Sequence, residues 1–255
     1  MNSRPTILVT NDDGVFAPGI KHLTTIAKQF GDVIVVAPDK PQSGMGHAIT
    51  INSTLRLEKT NFHQTTMEFA CSGTPVDCVK MAVNSILKKR PDLVLSGINH
   101  GSNSSINVIY SGTMSAAIEG ALEGSPSIGF SLCDYALEAD FTAATKHIEQ
   151  LIVHALNDKM PKGVCYNVNI PKLPALNIQG IKFVRQAKAN WVERFDERKD
   201  PYGRSYYWLT GEFVNFEPEA TDTDEWALSQ GYLSVVPTQV DLTAHNYLNE
   251  IKNKF

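Results

Sequence analysis

An apolar run from Thr6 to Thr10 ends in Asn11, Asp12, Asp13 and Gly14, placing two adjacent carboxylates where a strand would stop. No basic residue lies among their immediate neighbours in the chain. Like charges side by side repel, and desolvation adds to the cost of ionising both, so such a pair at a strand end commonly holds a cation. A divalent metal is the expected partner. The same residues also suit a plain turn, with Asx side chains bonding backbone and glycine accepting positive φ, and alone they fit a solvated turn equally well.

Two other polar loops follow apolar runs. Pro38 to His47 contains Ser43, Gly44 and Gly46, and Gly97 to Ser105 contains Asn99, His100 and Asn103. Asp12, Asp13, Ser43 and Asn99 together offer two carboxylates, a hydroxyl and an amide oxygen. That hard-oxygen set suits Mg²⁺, Mn²⁺ or Ca²⁺ rather than zinc. Taken singly, Ser43 and Asn99 fit ordinary loop hydrogen bonding, and only convergence at one sheet edge favours ligation. A fourth element, Tyr110, Ser111, Gly112 and Thr113, immediately precedes a helical pattern whose free N–H groups and positive dipole end attract an anion. Simple capping by Ser111 or Thr113 is the bland alternative. His47 and His100 are secondary candidates for proton transfer. Gly44 and Gly46 lack the third glycine of a dinucleotide loop, and no P-loop spacing occurs.

The elements that must carry these loops read as an α/β chain. Expected strands lie at 6–10, 33–37, 93–97 and 127–132, and expected helices at 18–30, 75–89 and 112–122. Thr74, Pro75 and Asp77 start the second helix and Lys88, Lys89 and Arg90 load its end, while 112–122 carries small residues suited to close packing on a sheet. Continuous apolar strands alternating with helices predict a three-layer, doubly wound (Rossmann-like), mostly parallel sheet, with ligands outside the carboxyl ends of its strands. Residues 48–71 alternate as an antiparallel hairpin insertion. Beyond Pro171 the chain becomes β-rich, with strands at 205–209 and 232–236 and a terminal amphipathic helix at 242–254. Trp191 and the run Tyr206, Tyr207, Trp208 suit either core or interface packing, or stacking on a base. The expectation is one domain over 1–255, with its core at about 1–170.

Composition narrows the function. The chain has 255 residues, 42% hydrophobic and 20% charged, with net charge −4 and pI about 6.0. Such a balance supports a sizeable core and argues against a nucleic-acid polymer as ligand. No stretch is apolar enough to suggest a membrane span or secretion leader, so a cytoplasmic protein is expected. Cys71, Cys78, Cys133 and Cys165 form no C-x-x-C pair and read as buried free thiols.

With these loops assembled, the chain resembles the survival protein SurE family of metal-dependent 5′/3′-nucleotidases over nearly its full length. The resemblance is carried by Ile7 to Gly14 with Ala17, Pro18 and Gly19; by Ala37, Pro38 and Asp39 with Ser43 and Gly44; and by Ser72 to Pro75. It continues in Ser96 to Asn99 with Gly101 and Asn103, Tyr110 to Thr113, Asn167 to Pro171, Asp200 to Arg204 and Gly231 to Pro237. It implies metal ligation by Asp12, Asp13, Ser43 and Asn99, one divalent ion per subunit, Mg²⁺ or Mn²⁺, with Ca²⁺ also accommodated. It implies a phosphate seat at Asn103, Ser111, Gly112 and Thr113, beside Ser43 and Gly44. It further implies a nucleoside monophosphate substrate, broad base tolerance, and a homodimer or homotetramer built on residues 191–208 and 242–255. Ser105 departs from the glycine many relatives have there, which leaves the loop's shape open.

The expected reaction is hydrolysis of a phosphomonoester, with Asp12, Asp13 and Asn99 at the reacting centre and an attacking water held by the metal or an aspartate. Asp12 is the stronger candidate for orienting that water. Two rivals stand beside it: a phosphatase with an aspartyl-phosphate intermediate, whose usual Asp-x-Asp spacing is absent, and a receiver-like Mg²⁺-binding module without hydrolytic activity.

Overall fold

A computed structural model describes residues 4–136, 138–158, 160–252 and 254. Four apolar runs form strands buried along nearly their whole length: β1 (Thr6–Thr10) and β2 (Asp32–Pro38), and, after the short β3 (Leu57–Lys59) and β4 (Met67–Cys71), β5 (Leu93–His100) and β6 (Ser127–Leu132). A further core strand, β7 (Val164–Ile170), follows, then β8 (Gly180–Phe183), the long pair β9 (Ala189–Lys199) and β10 (Ser205–Asn215), and β11 (Tyr232–Gln239). The main sheet has the order β3-β4-β2-β1-β5-β6-β7-β11-β8. From β4 to β7 all neighbours are parallel, whereas β3 and β11 pair antiparallel with β4 and β7.

Alternate residues of each strand feed two cores, as burial on both faces requires. Ile7, Val9, Val33 and Val35 face a layer made by α1 (Pro18–Ala27) and, later in the chain, a helix over Thr145–Asn157. Leu8, Ile34 and Val36 face α2 (Pro75–Met81) and α3 (Gly112–Leu122). The Thr145–Asn157 helix is α4, and α5 (Asp224–Ser229) and α6 (His245–Ile251) complete the set. The expected α/β architecture is present, with its β-rich C-terminal elaboration.

Several boundaries differ. The first helix ends at Ala27 because residues 28–31 fold back as turns onto the carbonyls of Thr24, Ile26 and Ala27. The second is α-helical only to Met81, then widens into a π-helix over Ala82–Leu87 and stops where Lys88 takes a left-handed φ of 52°. The expected hairpin over 48–71 is confined to β3 and β4, and β4 joins the parallel sheet beside β2. The terminal helix covers seven residues, and Asn253 and Phe255 lie outside the described residues. Cys71, Cys78 and Cys165 are buried free thiols, but Cys133 is half-buried. Among the described residues no helix is long and apolar enough to cross a membrane.

α2 is fastened at its start by a reciprocal cap. Thr74 Oγ1 accepts from Asp77 N at 3.2 Å while Asp77 Oδ2 accepts from Thr74 N at 2.9 Å, and Thr74 Oγ1 also donates to Ala48 O at 2.7 Å. Replacing Thr74 by Ala removes cap and loop tether together and is expected to cost about 1–2 kcal/mol, read as a lower urea midpoint at unchanged slope.

Candidate functional site

β1 sends the chain to β2 on one side and pairs with β5 on the other, so the loops after β1 and β5 diverge at the topological switch point where open α/β sheets bind ligands. Asp12 stands there, buried in spite of its charge. Its Oδ1 accepts the hydroxyl proton of Thr113, in the first turn of α3. Burial pushes its carboxyl up from 3.8 to about 6; the Thr113 hydrogen bond opposes that shift and the neighbouring Asp13 charge adds to it.

The β5 loop meets this carboxylate from the other side. A register shift between Ser96 and Asn99 breaks the β5–β6 ladder and re-aims the residues beyond it. Asn99 Nδ2 donates to the carbonyls of His100 at 3.0 Å and Gly101 at 2.9 Å, which fixes the amide and leaves its Oδ1 free to ligate. Asp13 Oδ2 accepts from His100 N at 3.2 Å and lies 3.5 Å from His100 Nδ1. Asp13 thereby braces the Asn99–His100 segment.

Ser43 arrives on the loop after β2. That loop is tied to the site by Gln42 N donating to Asp12 O at 2.8 Å and Gly46 N donating to Tyr110 O at 3.2 Å. Farther along, His47 Nε2 lies 2.9 Å from Glu119 Oε2 on α3, and Lys80 Nζ reaches Glu119 Oε1 at 2.5 Å. Burial alone would raise the Glu119 carboxyl, but hydrogen bonds from His47 and Lys80 overcome it and hold the group below its ordinary range.

At the head of α3, Ser111 Oγ accepts from Met114 N at 3.0 Å, an N-cap that leaves the hydroxyl proton free to donate. Capping and anion binding are therefore compatible here. The Thr113 hydroxyl, by contrast, is occupied by Asp12, so Thr113 offers an anion only its backbone N–H. Gly112 packs directly behind Asp12, where a Cβ would fall 2.6 Å from the Asp12 Cβ.

Asp12, Ser43, Gly44, Asn99, Asn103 and Ser111 line one cleft of about 370 Å³. It continues into an apolar cleft of about 630 Å³ that shares Gly44, Asn107, Tyr110 and Trp191 and runs on to Leu209. Trp191, which the sequence leaves between packing and stacking on a base, stands at this junction, its Nε1 donating to Asn107 Oδ1 at 2.8 Å. Asn107 and Tyr135 also line the site without a signal in the sequence that singles them out. Ser105 adopts φ 53°, the conformation that glycine favours, and its Oγ lies 2.8 Å from the Ala187 carbonyl and 2.9 Å from the Ala189 carbonyl, which share its one hydroxyl proton. A third cleft, of about 660 Å³, lies at the opposite ends of the strands against Pro5, Asp92 and Pro126, away from all of these groups.

The donors fit a hard divalent cation. Two carboxylates face no Lys or Arg partner among the described ion pairs, and the Asn99 and Ser43 oxygens remain available. A cation at Asp12 would relieve the desolvation that now raises its carboxyl. Among the described residues no cluster of three or more His, Cys, Asp or Glu suits a metal, so ligation here depends on the neutral oxygens.

Fold and site together define a class: a doubly wound α/β protein whose switch point brings hard-oxygen side chains together with the N-terminus of a helix. The model of the family described as survival protein SurE matches residues 7–193. A protein of Flavobacterium johnsoniae named 5′-nucleotidase SurE is 59% identical over 98% of this chain and 96% of its own length, and one of Bacteroides fragilis with the same name is 44% identical over 99% and 98%. The crystal structure of the SurE protein from Aquifex aeolicus, 41% identical, matches with a TM-score of 0.84 over 98% of this chain and 99% of that one. The chain belongs to the SurE family.

Proposed function

We propose that this chain is a divalent-metal-dependent nucleotidase that hydrolyses nucleoside 5′- and 3′-monophosphates to nucleoside and inorganic phosphate, with short polyphosphate as a side substrate. The observation that carries the reading is the shared cleft in which Asp12, Ser43 and Asn99 face Ser111 at the head of α3. Relatives named 5′-nucleotidases at up to 59% identity supply the substrate class.

Asp12, Asp13, Ser43 and Asn99 would hold one Mg²⁺ or Mn²⁺, with Ca²⁺ also accommodated. Bound there, the ion supplies Lewis-acid stabilisation of charge on the phosphoryl oxygens. Thr113 fixes the Asp12 carboxylate, whose second oxygen orients the attacking water. Ser111 Oγ–H, the N–H groups of Gly112 and Thr113, the Asn103 amide and the backbone at Gly44 seat the phosphate. The nucleoside lies in the apolar cleft with its base against Trp191 or Tyr110, a surface that tolerates different bases because each has a π-face.

In this reading residues 1–255 form one domain of a cytoplasmic homodimer or homotetramer. Assembly draws on the exposed Phe195, Tyr207 and Leu209 of the β9–β10 hairpin and the exposed Tyr247 and Leu248 of α6.

The test is phosphate release from a panel of 5′- and 3′-mononucleotides and tripolyphosphate, with Mg²⁺, Mn²⁺ or chelator. Release from mononucleotides that requires metal supports the reading. Chelator-resistant release removes the metal, and no release from any nucleotide removes the function.

A further inference from the structure

β7 buries two amides in the middle of a core strand. Tyr166, Val168 and Ile170 point into one apolar core, while Asn167 and Asn169, both buried, point to the other face. An amide taken out of water costs roughly 1–3 kcal/mol unless its hydrogen bonds are remade. Here they are remade chiefly on each other and on the main chain of one cleft residue, Asn103, with Ser102 Oγ adding a longer bond to Asn169 Oδ1 at 3.3 Å. Asn103 N donates to Asn169 Oδ1 at 2.7 Å, Asn169 Nδ2 donates to Asn167 Oδ1 at 3.1 Å, and Asn167 Nδ2 donates back to Asn103 O at 2.8 Å.

These three bonds close a ring with one direction. The Asn103 N–H can only donate, so Asn169 must present its oxygen there and its nitrogen to Asn167, and Asn167 must then present its nitrogen to the Asn103 carbonyl. Neither amide can turn over without breaking two links. The Asn103 side chain is held separately: its amide lies 2.7 Å from Ser131 Oγ on β6, and Ser131 pairs with Asn169 in the strand register. Asn103 Nδ2 donates to Ser131 Oγ, so one N–H of that amide fixes the side chain and the other remains to donate to an anion.

From this geometry we infer that Asn167, Asn169 and Ser131 are positioning residues that hold Asn103, main chain and amide, at the phosphate. The inference rests on the reading of Asn103 as a phosphate-binding residue. The three side chains reach the cleft mainly through Asn103, with one longer bond from Ser102 Oγ to Asn169 Oδ1 at 3.3 Å, and none of them lines the cleft.

The test compares kcat, KM and melting temperature for wild type, N103A, N169A, S131A and the double variant N103A/N169A, with a mononucleotide and Mn²⁺. N169A is expected to lower kcat/KM roughly 10–100-fold, the scale on which residues behind a reacting shell act. S131A is expected to lower it by a smaller factor near the wild-type melting temperature. The decisive expectation is non-additivity: N103A keeps the main chain that Asn169 holds but lacks the amide which that hold positions, so removing Asn169 from N103A lowers kcat/KM by a smaller factor than removing it from wild type, whatever it does to stability.

A double variant whose loss is the product of the two single losses would overturn the inference, as would wild-type kcat/KM in both N169A and S131A. Should N169A not accumulate folded, S131A and the corresponding N103A/S131A pair carry the same comparison. Wild-type kcat/KM in N103A instead removes the phosphate role of Asn103, and no nucleotide hydrolysis by wild type removes the proposed function, so the three failures are distinct.

Discussion

Asp12→Asn will lower mononucleotide turnover by roughly 10³-fold or more, about 4 kcal/mol of transition-state stabilisation, in a protein that stays folded. The substitution keeps the volume of the side chain and an oxygen for Thr113, but removes the charge that the proposed cation would need and the second oxygen proposed to orient water. The same change has an opposite, equally readable effect on stability. In the metal-free protein burial raises the Asp12 carboxyl from 3.8 to about 6, so between those values the folded state binds a proton that the unfolded chain has lost. Stability therefore falls as pH rises through this window, and above about pH 6 the ionised carboxylate costs about 3 kcal/mol. With chelator present, D12N should melt above wild type at pH 7, and the gap should close near pH 4. Added Mn²⁺ should raise the wild-type melting temperature and leave D12N unmoved. Wild-type turnover in D12N would remove Asp12 from the reacting centre, and equal melting temperatures at pH 7 would remove the buried charge.

Much of this site was legible because its signals are local. Polar, glycine-rich loops after apolar runs mark carboxyl ends of parallel strands, and a doubly wound sheet brings those ends together, so Asp12, Ser43, Asn99 and Ser111 reach one cleft from four separate segments. What stayed hidden depends on contacts between distant segments. Thr113 reads as an anion ligand, but its hydroxyl is taken by Asp12, on the loop after β1 and 101 residues earlier. Trp191 reads as packing or as a surface for a base, and it stands at the mouth because β9 carries it back across the β5 loop to Asn107. Asn103 stands out in its loop, but its phosphate role comes only from the family resemblance, and the amides that hold it interrupt an apolar pattern, which is also why β7 does not read as a core strand. α4 was missed because Ala144 precedes it without a capping side chain, leaving no start signal. In each case a side chain needed by the site breaks or blurs the local rule that would have located it.

Gly112→Ala should lower kcat/KM roughly 100-fold, less than the loss of Asp12 but far more than a surface change, although alanine suits the first turn of a helix and φ there is not positive. The obstacle is entirely spatial. A Cβ on residue 112 meets Asp12 Cβ at 2.6 Å, Oδ2 at 2.9 Å and Cγ at 3.1 Å, so either the carboxylate swings away from Thr113 or α3 retreats from β1. Both movements separate the cation ligands from the anion seat, and displacements near 1 Å reduce rates on that scale. Gly120, two turns along the same helix, provides the contrast. Its added Cβ would meet Ser127 Oγ at 2.4 Å and Val94 side-chain carbons at 2.9 Å, in the packing between α3 and the sheet and away from the cleft. G120A should therefore lose about 1–3 kcal/mol of stability and keep kcat at temperatures where it is folded, while G112A should lose activity with a smaller change in melting temperature. Thermal melts paired with phosphate release separate the two. If G112A turned over at the wild-type rate, the close approach of α3 to Asp12 would not be what aligns the metal and phosphate seats.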